Sequence, residues 1–239
     1  LGSEEKLIQQ TAAQFSSNEL AKFLPIAFDA KGLSREGYKA IGEAGLFGVT
    51  LPEEYGGAGS SFISYGLIAR EVERIDSGFR SILSVQSSLV MYPIFKFGTT
   101  WQKETYLKKL ASGELIGCFG LTEPEAGSDP GAMRTRAKKT SNGYILNGSK
   151  TWISNASIAD IFIIWAKSED EGGEIKGFIV ERRNKGIETS KINGKLSMQT
   201  ADTGSIYLTN VEVDESSILP DCIGLKGPFS CLNLARYGI

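Results

Sequence analysis

The 239 residues carry 26 Lys and Arg against 28 Asp and Glu, with 41% hydrophobic and 23% charged residues, a composition that excludes disorder and low-complexity fibres and leaves no excess of cations to neutralise a nucleic-acid backbone. There is no histidine, which removes Ser-His-Asp and Cys-His catalysis and the commonest zinc ligand from this chain. Cys118, Cys222 and Cys231 are odd in number and form no C-x-x-C pair, so neither a zinc site nor a disulfide framework is expected, and a reducing compartment is.

From residue 3 to about 112 the pattern is helical. Ile63, Leu67, Ile68, Val72 and Ile75 recur at spacings of three and four, with Arg70, Glu71, Glu73 and Arg74 between them, one apolar stripe on a helix. Leu51-Pro52, the glycines of residues 55–59, Pro93 and Gly98 divide this part into several helices. After Gly113 the period shifts towards two, and residues 116–120, 144–147, 161–166, 178–181 and 205–213 are expected as strands. Asn142-Gly143 and Asn147-Gly148 suit tight hairpin turns with positive backbone angles, and Glu171-Gly172-Gly173 another reversal. Past Pro220 helical spacing returns with Leu232, Ala235 and Ile239 as its apolar face, and the chain stops about a turn later, as a piece of a longer molecule would.

The expected fold class is α+β: an N-terminal helical bundle over residues 1–115, a small antiparallel β domain over 116–222, and the start of a further helical domain over 223–239. The longest central apolar run, residues 161–166, is far shorter than the roughly 20 residues of a membrane helix. The first residues lack the basic and apolar stretches of a secretory signal. A soluble protein whose targeting segment is absent or removed is expected, without membrane or nucleic-acid partners.

Four segments could carry chemistry. In Cys118-Phe119-Gly120-Leu121-Thr122-Glu123-Pro124-Glu125-Ala126-Gly127-Ser128-Asp129-Pro130 a strand empties into a loop able to offer N–H groups and hydroxyls to an oxygen-rich ligand; the bland alternative is a rigid domain junction. Lys150-Thr151-Trp152-Ile153-Ser154-Asn155 sets an indole and a hydroxyl two residues apart on a strand, suited to a flat heterocycle, or else a Trp that merely covers the sheet. Glu73 and Arg80 fall on one helical face if Gly78 does not break the helix. A guanidinium so held, with Ser81 beside it, can bind an anionic group; most such pairs are solvated surface. Phe229, Asn233 and Arg236 lie on a different face from Leu232, Ala235 and Ile239, either a ligand face or the exposed side of an amphipathic helix.

Together these segments resemble the acyl-CoA dehydrogenase family from the helical half to the last residue. The stretch Phe119-Gly120-Leu121-Thr122-Glu123-Pro124-Glu125-Ala126-Gly127-Ser128-Asp129 is similar to the family's flavin signature, and Lys150-Thr151-Trp152-Ile153-Ser154 to its second flavin segment. REVERIDSGFRS (70–81), VQSSLVMYP (85–93) and GPFSCLNLARYG (227–238) are similar to the glutaryl-CoA dehydrogenases within it. The resemblance implies FAD, held by Phe119, Leu121, Thr122, Gly127 and Ser128 along the flavin and its phosphates and by Trp152, Ile153 and Ser154 around the ring edge and N5. It assigns Arg80 and Ser81, with Glu73 orienting the arginine, to the distal carboxylate of a glutaryl chain. Phe229, Asn233, Arg236 and Ser128 would meet the CoA portion.

The chemistry it implies is α-proton removal with a β-hydride passing to flavin N5, then loss of CO2 to give crotonyl-CoA, within lysine and tryptophan degradation, with electrons leaving for an electron-transfer flavoprotein. In the family the catalytic glutamate and most of a tetramer interface belong to a C-terminal helical bundle. No carboxylate here matches that base, Glu123 and Glu125 being structural in this reading, so this chain alone is expected to be inactive. The location implied is cytoplasmic in a bacterium and the mitochondrial matrix in a eukaryote.

Overall fold

Helix α1 (Ser3–Asn18) opens the chain, followed by a short 3-10 turn (Leu20–Phe23), α2 (Leu24–Ala30), α3 (Arg35–Glu43) and α4 (Phe62–Glu73) in the computed structural model, which describes residues 1–170 and 172–239. The stripe expected on α4 is buried at Leu67, Ile68 and Val72, and Ser61 caps the helix by accepting from Ser64 N at 3.2 Å. Glu71, 2% exposed, lies between Arg70 and Arg74 and accepts from both guanidinium groups at 2.9 Å. Next comes α5 (Ser77–Ser84), which runs on through seven π-helical residues (Val85–Met91) into α6 (Tyr92–Phe97), and α7 (Thr100–Ala111) completes the helical part.

Two expectations about this part change. Pro93 does not divide a helix. It lies where the ladder has already been re-registered, Tyr92 N donating to Ser87 O five residues back, so a residue without an N–H is accommodated at the start of α6. Nor does Gly78 break a helix shared by Glu73 and Arg80: the chain turns at residues 74–76, and Asp76 caps α5 by accepting from Gly78 N at 2.8 Å. Glycine is needed there because a Cβ would collide with the Thr200 hydroxyl, itself bonded to Asp76.

The β part holds β1 (Gly117–Gly120), β2 (Arg136–Lys139), β3 (Gly143–Ser154), β4 (Ile161–Ser168), β5 (Ile175–Glu181), β6 (Ile187–Lys191) and β7 (Thr203–Asp214) in one sheet of order β1-β4-β2-β3-β7-β6, with β5 on the free edge of β4. The helical half followed by a β domain is as expected. The sheet, however, is mixed: β2–β3, β3–β7, β4–β5 and β6–β7 are antiparallel, whereas β4 runs parallel to β1 and to the start of β2. Parallel neighbours and cover on both faces explain why β4 is an unbroken apolar run. Its Ile161, Ile163 and Trp165 join the core shared with the helices, while Phe162, Ile164 and Ala166 fill the opposite side with Phe178, Val180 and Ile206.

The turn at Asn142-Gly143 connects β2 to β3, but Gly143 is there because a Cβ would strike Val213 O, not for a positive φ. Asn147-Gly148 is no hairpin turn. It is a bulge inside β3, with Gly148 at φ 151° pressed against Thr135. Of the expected reversal at Glu171-Gly172-Gly173, Glu171 lies outside the described residues, and both glycines have positive φ.

Helix and sheet are riveted by Arg35, whose two terminal nitrogens reach both Asp160 oxygens at 3.0 and 2.7 Å while Asp160 also accepts from Ile116 N at 2.9 Å. The last helix, α8 (Lys226–Tyr237), packs through Cys231 and Ala235 with Leu232 half-buried. Ile239 does not belong to its buried face, being 79% exposed. Among the described residues no helix is long and apolar enough to cross a membrane, and the three cysteines are free and buried.

Candidate functional site

β1 delivers the chain into the loop 121–135, and a buried ion pair holds that loop in place. Lys150, fully buried on β3, donates to Glu123 Oε1 at 2.8 Å and to Leu121 O at 3.1 Å. The Glu123 carboxylate also accepts from Arg134 N at 2.5 Å, Thr135 N at 3.0 Å and the Thr135 hydroxyl at 2.5 Å. Burial alone would raise the Glu123 pKa, but the charge and hydrogen bond of Lys150, with Thr135 and the Arg134 N–H, pull it below the usual carboxylate range. Lys150 has fewer compensations. Desolvation outweighs Glu123 and brings its pKa down to about 8, which leaves the pair ionised at neutral pH.

A carboxyl whose folded pKa lies below its ordinary 4.5 contributes stability above that value and loses it as pH falls through the lower folded value. Thermal unfolding followed from pH 7 to pH 3 is expected to show an acid limb below about pH 4.5 that Glu123→Gln flattens. Superimposable profiles for the two proteins would remove Glu123 from that account.

Above this anchor the end of β3 is distorted. Pairing with β7 is in register at Lys150 and again at Ile153, with an irregularity between, and Trp152 takes φ 58°, a left-handed conformation that a bulky residue adopts only under constraint. The bulge turns the indole outward, 63% exposed, which removes the reading of Trp152 as a cover for the sheet core. Thr151 N donates to Thr122 O at 2.9 Å, joining the two loops.

Between these loops, the π-helical segment and α8 lies a cavity of about 260 Å³. The sequence-predicted Phe119, Leu121, Thr122, Gly127, Ser128, Trp152, Ile153 and Ser154 all line it, with Phe229 and Arg236 of α8. Val85, Leu89, Pro130 and Leu232 complete the wall. Sequence reading did not assign these four to the site, although the VQSSLVMYP segment that carries Val85 and Leu89 was a signal for them. Among the described residues, the hydroxyls of Thr122, Ser128 and Ser154 and the guanidinium of Arg236 make no hydrogen bond to the protein. Nothing in the fold requires glycine at 127, since a Cβ there meets no atom within 4 Å and its φ is not positive; what glycine leaves open there is a close approach from the cavity side.

Glu73 and Arg80 lie on the wall of a second cavity, of about 330 Å³, with Gly66, Ala69, Arg70 and residues 237–239. Arg80 reaches back across the turn after α4, its Nε donating to Glu73 Oε2 at 2.8 Å, while the Ser77 hydroxyl donates to the other oxygen at 2.6 Å. Burial pushes the Glu73 pKa up, but these two hydrogen bonds and the guanidinium charge hold it below the usual range. The Arg80 side chain is 12% exposed and that of Glu73 43%, so the guanidinium is largely covered while its carboxylate partner faces solvent. Among the described residues its two terminal nitrogens have no acceptor. The two cavities share no lining residue, and α8 borders both. Arg80 and Val85 are five residues apart on one continuous helix, roughly 7–8 Å along its axis. Ser81, half-buried, and Asn233, exposed, line neither cavity.

Fold and site together define a class. Residues 2–114 match the family model for the acyl-CoA dehydrogenase N-terminal domain and residues 118–211 that for the middle domain, and the chain belongs to the acyl-CoA dehydrogenase family. It is similar along its full length to a glutaryl-CoA dehydrogenase from Mycobacterium smegmatis solved in complex with FADH2, with 42% identity, a TM-score of 0.95 and 61% of that chain covered. An acyl-CoA dehydrogenase of Bacillus subtilis (strain 168) is 37% identical over 99% of this chain and 63% of its own length. The mitochondrial isovaleryl-CoA dehydrogenase of Pongo abelii is 35% identical over 92% of this chain and 53% of its own. The chain thus spans less than two thirds of the length of these relatives.

Proposed function

We propose that this chain forms the flavin pocket and the acyl-recognition wall of an FAD-dependent acyl-CoA dehydrogenase acting on glutaryl-CoA. The observation that carries the reading is the convergence in one cavity of an outward-turned indole and three unpartnered hydroxyls, on two loops locked together by Glu123 and Lys150, with the guanidinium of Arg236 from α8. A flat tricyclic ring with a polar edge fits that donor set: Thr122, Ser128 and Ser154 offer hydrogen bonds, Trp152 offers a face, and Gly127 leaves room. FAD held there supplies a two-electron acceptor. Val85, Leu89, Phe119, Leu121, Phe229 and Leu232 give the cavity an apolar wall, beside which polar contacts are stronger than in water, and Arg236 meets the anionic CoA portion.

Glu123, its oxygens engaged by Lys150, Arg134 N and Thr135 and its pKa held below the usual range, is a poor general base. For the acyl group, the free fork of Arg80 favours a distal carboxylate, and the glutaryl-CoA dehydrogenase similarity supports that choice. The isovaleryl relative supports a second reading, an uncharged short acyl chain. A homotetramer handing its electrons to an electron-transfer flavoprotein completes the proposal. The full-length protein is expected to purify yellow and to release labelled CO2 from carboxyl-labelled glutaryl-CoA. A yellow protein that oxidises isovaleryl- or butyryl-CoA and releases no CO2 selects the second reading, and a protein that takes up no flavin defeats both.

A further inference from the structure

The two sides of the flavin-type cavity are fixed through a single peptide. Asn155 follows the cavity-lining residues 152–154, is fully buried and has φ 67°. Its amide makes two hydrogen bonds, accepting from the Tyr38 hydroxyl of α3 at 2.6 Å through Oδ1 and donating to Gly117 O at 2.9 Å through Nδ2. Its backbone N donates to Asp202 O at 3.0 Å. The orientation of this amide is forced. A carbonyl can only accept, so Nδ2 faces Gly117, and Oδ1 then requires the Tyr38 hydroxyl as a donor. Burial, with the charge of Asp202, raises the Tyr38 pKa well above that of an ordinary phenol, which keeps that donor protonated.

The other edge of Gly117 is taken from the opposite wall. Its N–H donates to Gln86 Oε1 at 2.9 Å, and Gln86 Nε2 donates to Leu110 O and Leu115 O at 2.9 and 2.8 Å. Gln86 sits in the π-helical segment, between the wall residues Val85 and Leu89. A relay of buried polar groups, every member satisfied, therefore runs from Tyr38 through Asn155 and Gly117 to Gln86, and such a network fixes one arrangement of the elements it joins. Trp152 and Asn155 both have left-handed backbones, a conformation that persists where its surroundings over-determine it, and Asn155 is the one of the two that the fold grips by its side chain.

We propose that Asn155, held by Tyr38, is a positioning residue for the acyl-CoA dehydrogenase reaction: it fixes the corner that aims Trp152 and Ser154 into the cavity and sets that wall against the π-helical one through Gly117. It acts through those neighbours and touches neither flavin nor substrate. The inference rests on the reading of the cavity as the flavin site, so its test has an arm that needs no flavin. Tyr38→Phe removes one hydroxyl and keeps the ring. Asn155→Gly keeps the left-handed backbone free of strain and removes the amide.

In flavin-free full-length protein labelled with 5-fluorotryptophan, the fluorine resonance of Trp152, assigned with Trp152→Phe, is expected to shift or broaden in both variants while those of Trp101 and Trp165 stay in place. With FAD bound, single-turnover flavin reduction is expected to slow roughly tenfold, the size of effect one lost buried hydrogen bond gives, with KM for the acyl thioester within about twofold of the parent. A Trp152 resonance coincident with the parent's in Tyr38→Phe overturns the proposal, as does a KM that rises in step with the loss of rate. Failure of the parent protein to take up FAD would instead strike the functional reading and leave the resonance result standing.

Discussion

Lys150→Met is expected to destabilise the protein by about 3–5 kcal/mol, because it strands the Glu123 carboxylate in the interior with its hydrogen bonds but without its counter-charge. Methionine fills nearly the same length of side chain, so little of the loss comes from packing. The carboxylate must then either protonate or draw in water, and each response loosens the turn in which Glu123 N and Ala126 N exchange bonds at 3.1 and 3.2 Å. Adding Glu123→Gln to Lys150→Met removes the stranded charge. It does not restore the parent, since the NH2 end of a Gln amide would face the N–H of Arg134 or the donors of Thr135, whichever oxygen it replaces. The double variant is expected to be less destabilised than the sum of the two single ones by about 1–3 kcal/mol, read from denaturant midpoints at constant pH. Strict additivity would show that the two groups do not act as a pair.

Much of this arrangement can be read from residue order, and the exceptions have physical causes. Strand β4 announces itself because it is covered on both faces. β2, with the sequence RAKK and only Ala137 fully buried, and β6, with IETSK at the end of the strand order, do not, since short, largely polar segments carry no apolar alternation to detect. The parallel pairing of β4 with β1 and β2 depends on crossovers that local periodicity cannot express. Hairpin chemistry at Asn147-Gly148 is indistinguishable in sequence from a bulge, and only the approach of Thr135 decides it.

Among site residues, every expected flavin contact lines one cavity because these contacts lie on two short loops whose spacing is fixed by β1 and β3. Ser81, expected beside Arg80 at the acyl carboxylate, and Asn233, expected with Phe229 and Arg236 at the CoA portion, line neither cavity, because a helix face covers an arc and spacing alone cannot say where the arc ends. Glu73 and Arg80 do meet, but through a turn in place of the shared helix that spacing suggested. The buried relay of Tyr38, Asn155, Gly117 and Gln86 joins residues up to 117 positions apart and leaves no local pattern at all.

Arg80→Leu in the full-length enzyme is expected to lower kcat/KM for glutaryl-CoA at least about 30-fold, the equivalent of the roughly 2 kcal/mol or more that truncating one member of a desolvated, hydrogen-bonded charge pair removes, while butyryl-CoA is affected far less. The geometry gives the reason. Glu73 occupies Nε and Ser77 holds Glu73 in place, so both terminal nitrogens are presented as a fork at fixed orientation, and a substrate carboxylate would meet them without first displacing a protein partner. Arg80→Lys keeps the charge and loses the fork, so its effect should fall between those of the parent and Arg80→Leu. Glu73→Gln keeps the hydrogen bond and weakens the electrostatic hold on the guanidinium, which should raise KM for glutaryl-CoA more than it lowers kcat. A ratio of glutaryl-CoA to butyryl-CoA turnover unchanged by Arg80→Leu would mean that the acyl chain never reaches this guanidinium, and that the cavity beside α4 serves the fold and not the substrate.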